Sequence, residues 1–346
     1  MELTHEITLR RPFDAHVHLR DGSALPTVVP HVARDFGRAL VMPNLAPPVT
    51  TTEAALAYRD RILQHVPEGV DFEPLMALYL TDTTTPDEIA RAAAMPGVVA
   101  VKLYPAGATT NSDAGVTSID RVGDALTAME EHGVLLLVHG EVTHDEVDVF
   151  DREARYLDEV LAPVVEAHPR LRVVLEHVTT RDGVDFVRSA RDGVAATITA
   201  HHLRYDRNHM LAGRIRPHLY CLPILKASPH RTALIEAATG DDPRFFLGTD
   251  SAPHGRSAKE CAHGCAGCYT SPLALALYAE VFEEAGALDH LDAFANTRGT
   301  AFYGLPEQPG TIMLRREEWT APSSYPFGDD EVVPLRAGET LRWRVV

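Results

Sequence analysis

The chain has 346 residues, of which 45% are hydrophobic and 23% charged, and its formal net charge is -17. A chain of this length can bury one large core. The acidic surplus disfavours a nucleic acid or an anionic membrane surface as partner, because both are bound through basic residues. Residues 1–6 lack the basic start and apolar run of a signal peptide, and no apolar run is long enough to cross a bilayer. We therefore expect a soluble cytoplasmic protein.

Eight short apolar runs, taken in chain order, predict eight strands, and the amphipathic segments between them predict helices. The strands are expected near residues 12–18, 38–42, 72–80, 98–104, 134–139, 172–177, 194–199 and 244–250. The helices include residues 51–65, 85–94, 119–131, 151–167 and 231–238. Eight strands with helical crossovers predict an α/β fold of the (β/α)8 or TIM barrel type, whose active site lies at the carboxyl ends of the strands.

No stretch is long or flexible enough to be a linker, so we expect a single barrel domain over residues 1–346. The first ten residues and the tail from about Gly310 are predicted to be short N- and C-terminal additions to the barrel.

The first predicted strand ends in the sequence His16, Val17, His18, Leu19, Arg20. Alternate residues of a strand point to the same side, so His16 and His18 can direct two imidazoles at one point, with Arg20 beyond them. Two histidines at this spacing are also common without a metal, so the pair alone does not establish a metal site.

Other predicted strands end in similar side chains. Lys102 ends the fourth strand, His139 the fifth, His177 the sixth and Asp250 the eighth. Because the carboxyl ends of barrel strands meet, these groups should converge with the first histidine pair into a Zn²⁺-type site.

Lys102 is unusual in such a set. As an ammonium it has no lone pair and would repel a metal ion. A carbamate formed from its amine and carbon dioxide would instead offer two oxygens that could bridge two ions. The alternative is a lysine paired with a carboxylate in the barrel.

Together these residues resemble the metal centre of the amidohydrolase superfamily, and the sequences around them resemble the dihydroorotases of the short bacterial type. The resemblance covers nearly the whole chain. It is carried by residues 41–51 (VMPNLAPPVTT), 102–105 (KLYP), 137–141 (LVHGE), 216–223 (RPHLYCLP) and 247–254 (LGTDSAPH).

The resemblance implies a zinc-dependent hydrolase with two Zn²⁺ per subunit, bridged by a hydroxide and by Lys102 modified to N6-carboxylysine. One ion would be held by His16, His18, the carbamate and Asp250, and the other by the carbamate, His139 and His177. The implied substrate contacts are Arg20, Asn44 and His254 to a carboxylate, backbone groups near Leu222 and Ala266 to the ring, and Thr109 and Thr110 from a mobile lid over residues 105–116.

The implied reaction is the reversible cyclisation of N-carbamoyl-L-aspartate to L-dihydroorotate with loss of water, a step in de novo pyrimidine (UMP) biosynthesis. Asp250 would carry the proton between the hydroxide and the ring nitrogen. The partner is then a small-molecule substrate, and the family's usual assembly predicts a homodimer.

Three different functions stay open. Cys261, Cys265 and Cys268 have the C-x3-C-x2-C spacing of an iron–sulfur cluster in radical enzymes, but they follow the eighth strand, whereas that motif usually comes early. We expect them to shape a loop in which Gly264 and Gly267 allow a close backbone approach. The second possibility is a hydantoinase or allantoinase, disfavoured by the fifteen residues before His16, and the third is a metalloprotein without activity.

Most of the remaining histidines, a set that includes His201 and His202, are expected to be exposed or satisfied by hydrogen bonds. His218 and His263 are the two predicted to lie near the site. The pair His201 and His202 replaces a Pro-Gln that is more usual in the resembling sequences, and we expect no effect on the proposed ligands.

Overall fold

A computed structural model of the protein describes residues 5–346, so the part of the N-terminal addition before His5 lies outside the described residues. The strands are β1 (Glu6–Arg10), β2 (Phe13–Val17), β3 (Arg38–Val41), β4 (Glu73–Tyr79), β5 (Val98–Leu103), β6 (Leu135–Val138), β7 (Val173–Leu175), β8 (Val194–Ile198), β9 (Phe245–Leu247), β10 (Thr311–Thr320), β11 (Tyr325–Phe327), β12 (Asp330–Val332) and β13 (Thr340–Val345).

The α-helices are α1 (Leu25–Asp35), α2 (Thr52–Leu63), α3 (Pro86–Ala94), α4 (Gly123–His132), α5 (Arg152–Tyr156), α6 (Ala162–Ala167), α7 (Arg181–Ser189), α8 (Ala200–Arg204), α9 (Arg207–Leu211), α10 (Ser228–Thr239), α11 (Arg256–Lys259), α12 (Ala274–Glu284) and α13 (Arg298–Tyr303). Short 3-10 turns lie at Gly22–Ala24, Ile119–Arg121, Pro217–Leu219 and Leu288–His290, and π-helical turns at Leu157–Leu161 and Ala293–Thr297.

Strands β2 to β9 form one parallel sheet in chain order. The two ends of this sheet are joined where the backbone N–H of Asp250 donates to the carbonyl of His16 at 2.8 Å and that of His18 donates to Ser251 at 3.0 Å. These bonds close the sheet into a barrel with helices outside it. The predicted (β/α)8 fold is confirmed.

Threonine side chains begin several of the helices. Thr51 accepts from the backbone N–H of Ala54 at 3.2 Å, and Thr180 accepts from Gly183 at 2.9 Å. Such caps satisfy backbone donors that have no partner in the first turn of a helix.

The predicted helix over residues 51–65 is found as α2. The one over residues 151–167 is found as α5 and α6, separated by a π-helical turn.

The side chains of the strands alternate between two packed layers. Leu135 and Leu137 of β6 belong to the cluster that fills the barrel, whereas Leu136 and Val138 pack in the larger cluster between barrel and helices. Strands buried on both faces are typical of parallel sheets under helices. The alternation fixes which residue at each strand end faces the barrel interior.

The described parts of the two predicted additions form one structure. Strand β1 pairs antiparallel with β10, and β10 pairs antiparallel with β13. Trp343 of β13 is completely buried and packs in the same cluster as the barrel helices. Strands β11 and β12 form a separate antiparallel pair.

Over residues 5–346, none of the helices combines the length and the apolar character needed to span a bilayer.

Candidate metal and substrate site

Three residues at the mouth of the barrel have a left-handed backbone. The φ angles of Arg20, His177 and Asp250 are 59°, 41° and 44°. Residues other than glycine seldom adopt this conformation, and it concentrates at functional sites where neighbouring structure enforces it. Each of the three lies just past the end of a barrel strand, so the local turn sets the direction of its side chain.

His16, His18 and Asp250 place three ligand-type atoms together. The Nε2 atoms of the two histidines are 3.4 Å apart, and Oδ1 of Asp250 lies 3.0 Å from that of His18 and 3.4 Å from that of His16. Burial lowers the pKa of His18 to about 4. Against the opposing effect of burial, hydrogen bonds from both histidines hold the pKa of Asp250 well below its usual range. A neutral imidazole and an ionised carboxylate are the forms that bind a cation.

A second group of nitrogen atoms has no partner. Nδ1 of His139, Nδ1 of His177 and Nζ of Lys102 are buried without a hydrogen bond within the described chain. The rings of His139 and His177 have centroids 4.9 Å apart, and those of His16 and His177 are 5.0 Å apart. Burial lowers the pKa of His177 well below its usual value. Since an unpaired buried polar atom is costly, these nitrogens are candidates to bind an ion.

Lys102, the third member of this second group, is completely buried. Its Nζ is 5.2 Å from the centroid of the Tyr104 ring. Burial lowers its pKa to about 8, against the opposing charges of Glu176 and Asp250. A lower pKa enlarges the fraction of neutral amine, the form that can react with carbon dioxide.

Carboxylates behind the histidines fix their orientation. Nδ1 of His16 lies 2.9 Å from Oε2 of Glu176, and Nε2 of His139 lies 2.7 Å from Oε2 of Glu141. The Thr197 hydroxyl also donates to Glu176, at 2.5 Å. Such carboxylates hold the ring of a ligating histidine and leave its other nitrogen for the metal.

Sequence reasoning missed these carboxylates, although one signal was present. Val174 of β7 faces the barrel interior, so alternation places Glu176, two residues later, on the same side.

Asp14 was missed as well: its carboxylate accepts from the backbone N–H of Thr249 at 2.8 Å and of His16 at 3.1 Å. It ties the first strand of the barrel to the last. Burial raises the pKa of Asp14 to about 7.

Most of the predicted substrate residues line one cavity together with the metal-type residues. Its walls are formed by His18, Arg20, Asn44, Tyr104, Thr109, Thr110, His139, His177, Leu222, Asp250, Ala252, Ala266 and Gly267. His254 is not in this lining; its Nε2 accepts from Nη2 of Arg20 at 2.9 Å. Burial, with the nearby Arg20 charge, lowers the pKa of His254 to about 2. In the structure His254 therefore contacts the guanidinium of Arg20.

The segment carrying Thr109 and Thr110 closes the cavity. Asn44 donates from Nδ2 to the carbonyl of Thr110 at 3.0 Å, and Asn111 donates back to the carbonyl of Asn44 at 3.1 Å. The cavity has a volume of about 20 Å³, room for about one water molecule. Little free space is therefore left beneath this segment in the structure.

The cysteine-containing loop after β9 is shaped by its backbone. A Cβ on Gly264 would lie 2.6 Å from the carbonyl oxygen of Lys259, and one on Gly267 2.6 Å from that of Ala252, so both positions require glycine. Cys261 is exposed and Cys268 buried. Over residues 5–346, two sets of three side chains have metal-ligand atoms within 4.8 Å of one another. The first set is His16, His18 and Asp250, and the second is His201, Cys221 and Cys268.

The histidines outside the predicted ligand set lie in different environments. His218 is bound to Glu260 at 2.8 Å and His263 is exposed, and neither lines the cavity. His202 is satisfied, with Nδ1 2.8 Å from the Thr199 hydroxyl and Nε2 2.9 Å from the carbonyl of Pro223. His201 is completely buried, and neither ring nitrogen has a partner in the described chain. His201 is therefore neither exposed nor satisfied, unlike what was expected for most of these histidines.

Comparisons with known proteins agree with this geometry. The model of the amidohydrolase family matches residues 13–314. A dihydroorotase from Pseudomonas syringae pv. tomato is 62% identical over 343 residues, 99% of each chain. The crystal structure of a dihydroorotase from Campylobacter jejuni is 34% identical with a TM-score of 0.91, covering 100% of this chain and 99% of that one. A dihydroorotase from Saccharomyces cerevisiae in complex with 5-fluoroorotic acid is 33% identical with a TM-score of 0.92, covering 99% of both.

Proposed function

Because the chain belongs to the amidohydrolase family, and within it to the dihydroorotases, we propose that it interconverts N-carbamoyl-L-aspartate and L-dihydroorotate with a pair of zinc ions. The observation that carries this proposal is a cavity lined by four ligand-type side chains, His18, His139, His177 and Asp250, together with the half-buried Arg20. His16 lies next to Asp250, and Lys102 is buried without a hydrogen bond. In a cell the reaction would serve pyrimidine biosynthesis.

The residues present fit a pair of metal ions. His16, His18 and Asp250 would hold one ion, His139 and His177 the other, and the carbamate of Lys102 would contribute to both. The unpartnered nitrogens of Lys102, His139 and His177 support this assignment. Two bound Zn²⁺ would supply a water of lowered pKa and polarise the ring carbonyl.

Arg20 and Asn44 would bind the carboxylate of the substrate. The guanidinium of Arg20 is a planar fork that matches the two oxygens of a carboxylate. Its Nε already donates to the carbonyl of Pro253 at 3.0 Å, and His254 accepts from Nη2. These contacts hold the fork in one orientation. His254, expected to touch the carboxylate, is here proposed to position Arg20.

Asp250 would move the proton. In the hydrolytic direction its carboxylate accepts a proton from the attacking water and delivers it to the ring nitrogen as the amide bond breaks. In the biosynthetic direction the carbamoyl nitrogen bonds to the side-chain carboxyl carbon, and water leaves. Closure of the lid by Thr109 and Thr110 would exclude other water during these steps.

The proposal is tested by assaying the purified chain in both directions, with hydantoin and allantoin as competing substrates. We expect turnover of dihydroorotate and N-carbamoyl-L-aspartate well above that of the other two, and about two zinc ions per chain at this centre. Turnover of hydantoin or allantoin without dihydroorotate would contradict the assignment, as would metal-loaded protein without activity on any of them.

Three further proposals concern the domain, the oligomeric state and the cellular location of the protein. We propose that residues 1–346 act as one domain, supported by the shared core of β10, β13 and the barrel helices. We also propose a cytoplasmic homodimer, which light scattering of the purified protein and fractionation of cells would test.

A further inference from the structure

We propose that His201, Cys221 and Cys268 form a second, structural metal site that binds Zn²⁺ behind the substrate cavity. One ligand atom from each of the three lies within 4.8 Å of the others, and all three side chains are buried. In a tetrahedral zinc site the ligand atoms are about 3.5–3.8 Å apart. Side-chain shifts below about 1 Å would therefore bring them to bonding distance.

The imidazole of His201 is the main indication of a ligand. It is completely buried, and neither Nδ1 nor Nε2 has a hydrogen-bond partner in the described chain. A histidine without any partner loses the hydration of both nitrogens and gains nothing in return. A metal ion bound between this ring and two cysteine sulfurs would supply the missing interaction.

The two cysteines are free to act as ligands. Both are unpaired, and their sulfurs make long contacts, Cys221 to the carbonyl of Pro223 and Cys268 to that of His218, each at 3.4 Å. A disulfide between them would satisfy the sulfurs but would leave His201 without a partner. The histidine therefore favours a metal over a disulfide.

The charges nearby are compatible with a divalent ion. Two thiolates would neutralise Zn²⁺, and the ammonium of Lys259 is already compensated by the carbonyls of Tyr220, Cys265 and Gly267 at 2.8–2.9 Å. The neighbouring Cys268 and burial raise the pKa of the Cys221 thiol well above its usual value, so a bound metal ion would have to displace its proton. The ion and its two thiolates would thus form a neutral group, and the Lys259 ammonium would keep its hydrogen bonds.

The proposed site lies where it could hold two loops of the substrate cavity together. Cys221 directly precedes Leu222, Cys268 directly follows Gly267, and both Leu222 and Gly267 line the substrate cavity. The two loops are already joined by a hydrogen bond from the N–H of Gly267 to the carbonyl of Tyr220 at 2.9 Å. A bound ion would tie both loops to His201 in α8, the helix that follows β8. The benefit to substrate binding rests on the proposed function; the metal site does not.

Cobalt substitution tests the proposal directly. Protein reconstituted with Co²⁺ should show a sulfur-to-cobalt charge-transfer band in the near ultraviolet, which the nitrogen and oxygen ligands of the catalytic centre cannot produce. We expect Cys221→Ser and Cys268→Ser each to abolish the band, and His201→Gln to weaken it and to lower zinc content by about one ion per chain. The matched control Cys261→Ser with Cys265→Ser should keep band and zinc.

Lys102→Ala separates this proposal from the proposed function. It should disturb the catalytic centre but leave the thiolate band in place, so loss of dihydroorotate turnover with a retained band affects only the catalytic assignment. If a cysteine variant fails to fold, His201→Gln still reports through zinc content. A wild-type protein with freely titrating thiols and no band would overturn the site, and so would a Cys221–Cys268 disulfide in the isolated protein.

Discussion

Glu176 accepts a hydrogen bond from His16 across the barrel, with Oε2 and Nδ1 2.9 Å apart. Both side chains are buried, and Thr197 holds the same carboxylate oxygen at 2.5 Å. The contact orients His16 so that its Nε2 faces His18 and Asp250. The carboxylate therefore acts on the metal centre through a histidine.

Glu176→Gln should weaken metal binding about 10- to 100-fold with the fold retained, because the neutral amide no longer raises the basicity of the His16 ring. Competition with a chelator of known affinity measures the change. Glu166→Gln, at an exposed position, is the matched control. Unchanged metal affinity in Glu176→Gln would remove this carboxylate from the support of the centre.

Lys102→Ala should empty or disorder the metal pair and abolish turnover, because the carbamate is the proposed anionic bridge. A small carboxylic acid should restore part of the activity by placing two oxygens in the vacated space. Metal content and rate with and without the acid are the measurements. The buried Lys226, whose Nζ donates to the carbonyl of Ile224 at 3.0 Å, provides the control Lys226→Ala.

The carbamate itself is tested on the wild-type protein. Reconstitution should require bicarbonate, and carbon NMR with labelled bicarbonate should show a carbamate signal. Fully active, metal-loaded protein without that signal would leave Lys102 as an ordinary buried lysine.

Asp250→Asn should keep the fold and part of the metal while turnover falls about 10²- to 10⁴-fold, since an amide oxygen can still face a cation but cannot carry a proton. Rates are compared at equal metal loading, with zinc measured on the same samples. Activity within about twofold of wild type would exclude proton transfer by Asp250, at the magnitude expected for general acid–base catalysis.

Replacing Thr109 and Thr110 with alanine should lower turnover and leave zinc content unchanged, because the two hydroxyls are proposed to contact substrate only when the lid is closed. Hydrogen exchange of residues 105–116 should slow when a substrate analogue binds. Thr127→Ala, on the exposed side of α4, controls for loss of a threonine hydroxyl. Equal exchange with and without the analogue, together with normal turnover of the double variant, would refute the lid.

The barrel and most of the site were predictable because their signals are local. Lys102 and His139 continue the alternation of β5 and β6, so apolar periodicity leads directly to them. His177 and Asp250 lie beyond their strands, in left-handed turns that periodicity does not describe. They were found through their residue type and the resemblance of their surroundings.

The features that were missed depend on contacts between distant segments. Glu141 stands two residues after His139, but its role is visible only from the 2.7 Å contact between the two side chains. The lack of partners around His201 likewise depends on how the loops of Cys221 and Cys268 fold over it. A single sequence shows which residues are present but does not show which of them lack a hydrogen-bond partner in the folded protein.

The pairing of β1 has a consequence for how the protein is made. β10 is the only strand of that sheet with which β1 pairs in the described structure, and the two are separated by the whole barrel. A chain that emerges from the ribosome N-terminus first therefore has no partner for Glu6–Arg10 until Thr311–Thr320 has been synthesised. Among the described strands, β1 is synthesised before all the others, yet it can be fixed only after β9 (Phe245–Leu247), the strand that completes the barrel, has already been made.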